Sequence, residues 1–465
     1  MSSHTPSLSL PTLARDAKSD DGLPRQRAPA SAWYALGMLV LVNVLGMVDK
    51  LIFTLVAEPL RHALALSDTQ LGLLQGLAFT LATALAMTPM GWLADRYDRR
   101  WVLAASVVLW SVCGALRGTS LSFGVLFTVS VGLGLAEGSL LPINNSLIPD
   151  LFPRAQRVAA NTIFGLVALL GASLGAALGG AAVTLSELAR PHLPLAMQHL
   201  DTWRLAFFAT AGVGLPIAVL VLLMPRTTRG AWDAPGSAEA TGSAREFSDY
   251  LRAHWRTLTG VVCGTGVTML GFSAVGNWIP IMAARRFGVS PQELGNSVGV
   301  CFFLATLAGT TIAVVGMKTF GSRVGGAGAL RLLACGNLAF AVLSPLLLLV
   351  HSSFELFGVL GLMVTPLIAC VLVTPNALQA VAPAMLRART VGVMSTVGML
   401  FQVAGPLAIG SLSDSINAIA PNALAIAIVI LTLVTGILGA AVLRATERSF
   451  GRLVGTVLGD AEKPA

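Results

Sequence analysis

Leu66-Ser67-Asp68-Thr69-Gln70-Leu71-Gly72 returns 223 residues later as Val289-Ser290-Pro291-Gln292-Glu293-Leu294-Gly295. Each copy separates two long apolar runs. A second set agrees: Pro142, Arg154 and Gly165 recur as Pro375, Arg387 and Gly398, 233 residues on. The polar segment Pro225–Arg256 lies between the two sets. The chain is therefore built twice, and whatever one half folds into, the other repeats.

Composition fixes what those halves are made of. Hydrophobic residues make up 55% of the 465, charged residues 11%, and the mean hydropathy is +0.78. A soluble domain carries about 25% charged residues, so this chain uses lipid as its solvent. The 48 glycines suit close approach of helices in a membrane. Apolar runs of spanning length occur near 33–57, 70–94, 101–119, 123–148, 158–184, 204–224, 257–283, 293–317, 330–350, 354–380, 390–413 and 421–443. The expected fold is an all-α membrane protein of twelve transmembrane helices in two six-helix halves, 32–224 and 257–443. A linker at 225–256 joins them, and tails at 1–31 and 444–465 flank them. The first tail is polar, without the apolar core of a signal peptide. The run 354–380 carries Pro366 and Pro375 and is expected to kink or tilt.

Lysine and arginine set the orientation. With both termini on one side, 23 of the 30 fall there, six on the other side, and Lys50 lies within a span. This predicts cytoplasmic termini in an inner membrane. It makes the net charge of +8 a topology signal and leaves nucleic acid unsupported as a partner. The five cysteines fall inside spans and read as packing thiols, with no metal-ligand spacing. No histidine lies mid-span, which argues against a histidine proton relay. No phosphate-binding Gly-x-x-x-x-Gly-Lys-Ser/Thr motif occurs, and neither a cofactor nor a metal is expected.

Three ionisable residues, Asp49, Lys50 and Glu137, interrupt the spans. A charge at the bilayer centre costs about 2.5–3.5 kcal/mol even on a lenient scale, so such residues are functional candidates facing an interior path. At the repeat offsets they correspond to Phe272, Ser273 and Cys370, which puts the charged machinery in the first half. Further candidates for a cavity lining are Asn144 and Asn145, near Glu137, and Arg117, where snorkelling from the outer end of its span competes with that role. Glu58 reads as a solvated rim residue.

Gly91-Trp92-Leu93-Ala94-Asp95-Arg96-Tyr97-Asp98-Arg99-Arg100 joins spans 2 and 3 and resembles the loop signature of the major facilitator superfamily, with Asp98 where the signature has glycine. Gly91, Asp95, Arg96, Arg99 and Arg100 then form a cytoplasmic latch, Asp95 pairing with arginine or a helix N-terminus. Gly171, Gly175, Gly179 and Gly180 form a packing seam in span 5, resembling the glycine-rich signature of proton-antiporting facilitators, with Ala176 in place of its proline. Asp49-Lys50, Gly134–Glu137, Ser146–Pro153, Trp203–Phe207 and Trp278-Ile279-Pro280 together resemble the spinster branch. That resemblance implies a span 1 acid–base pair and a span 4 glutamate at Asp49, Lys50 and Glu137, with Lys50 standing where the family has arginine, Ser130 where many relatives have arginine, and Trp278 near the cavity. It implies the major facilitator fold, with its site at the interface of the two repeats near the bilayer midplane.

The expected function is secondary transport of a small organic or amphipathic, lipid-like solute by alternating access, coupled to protons through Glu137, in a monomer. An organic-anion/proton symporter is the alternative on the same fold. A membrane-embedded enzyme would want a nucleophile–base pair or clustered metal ligands in the spans. A transport-dead receptor is the third rival.

Overall fold

The computed structural model describes residues 27–227 and 243–461. Among these residues, twelve helices are long and apolar enough to cross a bilayer. In the first half they are α1 (Ala30–Leu55), α2 (Asp68–Arg96), α3 (Arg99–Thr119), α4 (Phe123–Leu151), α5 (Gln156–His192) and α6 (Thr202–Leu222). In the second half they are α7 (Ala244–Phe287), α8 (Pro291–Ser322), α9 (Gly328–Leu348), α10 (Ser353–Ala380), α11 (Arg389–Asn417) and α12 (Ala423–Ala461). Helices are the form such runs must take, because lipid cannot satisfy a backbone N–H or C=O.

Ends differ from the sequence reading where packing outside the lipid takes over. The seventh helix starts at Ala244, inside the segment expected as linker, and bends at His254. The twelfth continues to Ala461, through the segment expected as a tail. Pro366 and Pro375 leave α10 one continuous helix. Residues 1–26, 228–242 and 462–465 of the expected tails and linker lie outside the described residues.

The repeated heptapeptide has a structural meaning in both halves. Ser67 caps α2: its Oγ accepts from Gln70 N, and Ser67 N donates to Gln70 Oε1 at 2.9 Å, a capping box. Ser290 Oγ accepts from Glu293 N at 3.3 Å at the start of α8. The glycine that closes each copy touches the opposite half. A Cβ on Gly72 would lie 2.5 Å from Pro406 O of α11, and one on Gly295 would lie 2.5 Å from Ala176 O of α5. Gly76 against Val403 O, Gly410 against Asp68 O, and Gly180 against Gly295 Cα extend the two contacts.

Ion pairs lock the same end. Arg285 of α7 donates two hydrogen bonds to the Asp68 carboxylate, at 2.7 and 2.9 Å, and two to Glu58 Oε2, at 3.0 and 3.2 Å. Asp414 of α11 accepts from the N–H groups of Asp68 and Thr69. Glu58 is therefore a buried acid shared by Arg285, Arg61 and His62, which corrects its reading as a solvated residue. Toward the other end the halves diverge. A Cβ on Gly165 of α5 or Gly398 of α11, themselves repeat partners, would meet nothing within 4 Å.

Gly295→Leu should wedge this closed end apart, because its neighbour is a backbone carbonyl that cannot yield. The check is labelling of a Thr54→Cys thiol, buried in a pocket beside Lys50, by a bulky maleimide added on the Arg61 side. Labelling should be slow in the parent and fast with Gly295→Leu; equal rates would contradict the closure.

Candidate functional site

Between the halves, the first half presents its charges in two groups. Asp49 on α1 and Arg117 on α3 are 1% and 3% exposed and form an ion pair, Arg117 Nη1 to Asp49 Oδ2 at 3.4 Å. Arg117 Nη2 reaches Ser130 Oγ at 3.4 Å, and the guanidinium lies 5.0 Å from the Phe53 ring and 5.2 Å from the Phe207 ring. Arg117 is thus fully internal, which corrects the snorkelling expectation. The cation missing at Ser130 is supplied from α3.

Lys50 takes a different direction from its neighbour Asp49. Its Nζ stands 5.9 Å from the Phe79 centroid, in a pocket also lined by Thr54, Gln75, Arg117 and Asn277. The α2 segment Leu74–Leu81 that carries Gln75 and Phe79 is π-helical, a widening common at functional sites. Gln75 is 7% exposed, and neither its amide nitrogen nor its oxygen has a hydrogen-bond partner among the described residues.

Glu137 ends the first stretch of α4, whose helix breaks at Gly138-Ser139 and restarts at Leu140. Gly138 and Gly134 allow the break to press on α2: a Cβ on either would lie within 2.5 Å of Ala86 Cβ or Phe79 O. The carboxylate packs on Gly46, whose added Cβ would lie 3.1 Å from Oε2, in a pocket lined by Val42, Leu45, Ser106, Val107, Trp110 and Leu140. No described residue donates a hydrogen bond to it, and no ion pair joins it to Lys50. Lys50 and Glu137 are therefore apart in this conformation, with Lys50 further toward the closed end on α1.

Other expected residues divide. Asn144 is buried and Asn145 exposed. Trp278 is fully buried, and its indole N–H donates to Pro406 O at 3.0 Å, holding α7 to α11. It is a packing residue, and its neighbour Asn277 faces the Lys50 pocket instead. Gly171, Gly175 and Gly179 face Met47 and Ile52 of α1, while Gly180 faces α8, so the seam serves two helices. In the loop, Arg99 pairs with Asp150 and Arg100 reaches the carbonyls of Leu222 and Met224. Asp98 caps α3 and pairs with Arg100, whose hydrogen bonds hold the Asp98 carboxyl below the usual range. Arg96 stacks on Trp92; Gly91 meets Pro142; Asp95, exposed, is engaged as well. The bonds of Arg99 and Arg100 stay within the first half, so they brace that half here and do not bridge to the second.

Arg117→Ala should leave Asp49 buried without its cation and cost about 3–5 kcal/mol. The double replacement with Asp49→Asn should recover much of that loss. Melting of the purified single and double variants measures it; an unchanged Arg117→Ala protein would contradict the pair.

Residues 38–330 match the model of the Major Facilitator Superfamily. The chain is 29% identical over 315 residues to a protein of Mycolicibacterium smegmatis named MFS-type efflux pump, covering 68% of this chain and 66% of that one. It is 29% identical over 263 residues to mouse protein spinster homolog 3, covering 56% of this chain and 48% of the relative. The chain thus spans less than two thirds of the length of either. In three dimensions it superposes on a bacterial homologue of the human lysosomal transporter Spinster, in an inward-facing and unoccupied conformation, with a TM-score of 0.76 at 22% identity over 94% of this chain and 99% of that one. With its repeated halves, its twelve helices and the family model matched over residues 38–330, the chain belongs to the Major Facilitator Superfamily, and proteins named spinster are among its relatives.

Proposed function

We propose that the protein is a secondary active transporter carrying a small organic or amphipathic solute by alternating access, with proton binding at Glu137 as the drive. One observation carries this reading: a carboxylate without a hydrogen-bond donor, in an apolar pocket at a helix break, within electrostatic reach of Lys50 and Asp49. Its charge is stabilised or not according to where Lys50 stands. A movement of α1 against α4 therefore changes the cost of that charge, and by linkage a proton on Glu137 changes the cost of the movement.

The solute site is the pocket around Lys50. Lys50, Gln75 and Asn277 offer an ammonium and two amides to a polar head, and Phe53, Phe79 and Leu74 offer an apolar wall to a body. Gln75 pays the desolvation of an unbonded amide in the empty state, and a bound head would relieve it. Lys50, with no carboxylate in ion-pair range among the described residues, also suits an anion, which favours an organic-anion/proton symporter as the second reading. The Lys and Arg excess supports a cytoplasmic side for the open end and both termini, in an inner membrane. A pathway formed between two halves of one chain supports a monomer as the working unit.

In proteoliposomes loaded with an amphipathic substrate, a pH gradient should accelerate flux in the parent. Glu137→Gln should keep the fold and substrate binding but lose the acceleration. Lys50→Arg should retain more flux than Lys50→Ala. A Glu137→Gln protein that still follows the gradient at the parent rate would remove Glu137 from the coupling step.

A further inference from the structure

α12 outruns the membrane. From Ala423 to Leu443 it is apolar, a length of about 31 Å at 1.5 Å per residue, close to the ~30 Å hydrocarbon core. Arg444 is the first charge after that run and so falls at headgroup level. Beyond it the helix stays ordered because Leu443, Phe450, Leu453 and Val454 are buried in one cluster with Tyr250 and Leu251 at the start of the seventh helix. The opposite stripe carries Arg444, Arg448 and Arg452, four residues apart, on one face of the helix.

These three face Arg331, on the first turn of α9, across an open groove of about 1100 Å³. Glu447, 8% exposed, accepts from both Arg331 and Arg444 and fixes their position. One carboxylate thus stands among four guanidinium groups and pairs with two of them. Arg448 and Arg452 have no hydrogen bond or ion pair among the described residues, and both are exposed. An excess of arginine on this side is expected from topology alone. A rigid, converging set with two unpaired forks on a built groove is more than that rule requires.

We propose that this groove binds the phosphate headgroup of an anionic phospholipid. Guanidinium forks match phosphate oxygens in pairs. The groove begins where the apolar run of α12 ends, so a lipid whose chains lie beside α12 presents its phosphate at Arg444 and Arg448. Clusters of basic residues between helices on this side of a membrane are suited to such headgroups. Free phosphate offers the same oxygens but lacks the chains that would hold it at this depth. The site lies wholly in the second half and is independent of the reading of Glu137.

The test uses the full chain purified in a neutral detergent, the Arg448→Gln/Arg452→Gln variant, and an Arg252→Gln/Arg256→Gln control that removes the same charge from α7. Phosphatidylglycerol, phosphatidylcholine and inorganic phosphate are added separately, with lipid binding counted by native mass spectrometry and stability followed by melting. Phosphatidylglycerol should bind and raise the melting temperature of parent and control, and the groove variant should lose both effects. Equal losses in groove and control variants would reduce the effect to net charge and overturn the site. A shift with inorganic phosphate equal to that with phosphatidylglycerol would overturn the lipid assignment.

Discussion

Backbone contact through glycine is the constraint on which the arrangement rests. At Gly72 and Gly295 a carbonyl of the opposite half occupies the place a Cβ would need. Helices approach this closely only where one of them lacks side chains, and in lipid such dispersion contact is a main source of helix association. Because both glycines close copies of one repeated segment, the two contacts are related by the internal symmetry of the chain. The serine caps at Ser67 and Ser290 set the start of each contacting helix, and so set the depth at which each glycine arrives. Arg285, Glu58, Asp68 and Asp414 then cover the junction with charge.

Symmetry of backbone is combined with asymmetry of chemistry. The positions that repeat Asp49, Lys50 and Glu137 are Phe272, Ser273 and Cys370, and Cys370 is a buried thiol near Leu333 O. Buried charges need partners, and the first half provides them internally: Arg117 for Asp49, Asp150 for Arg99. Lys50 and Glu137 are left over. A cation beside an aromatic ring and an acid on an apolar wall stand on adjoining helices, and the proposed function turns on how their separation changes.

Twelve spans and the repeat were legible because lipid imposes a long apolar period on sequence and duplication preserves spacing. Helix ends were less so. α12 continues past its apolar run because Phe450 and Leu453 find a partner in the seventh helix, a tertiary fact invisible along one chain. Of the candidate site, Asp49, Lys50 and Glu137 stood out as charges in apolar runs. Arg117 and Glu58 did not, since a residue near a span end reads as surface until its partner is placed. Gln75 and Asn277 carried no signal beyond being amides in apolar surroundings. Trp278 was read as lining because of the motif around it; a buried indole needs an acceptor, and Pro406 O supplies it.

The account holds that protonating Glu137 favours closing the basic end and opening the Arg285 end. Two spin-label pairs report this directly: Ala63 with Ile419 at the Arg285 end, and Tyr97 with Met385 at the basic end, all exposed. Distances measured by double electron–electron resonance, at high and low pH and with Glu137→Gln, should change in opposite directions at the two ends, with Glu137→Gln resembling low pH at either pH. Both distances holding still, or moving together, would contradict alternating access controlled by Glu137.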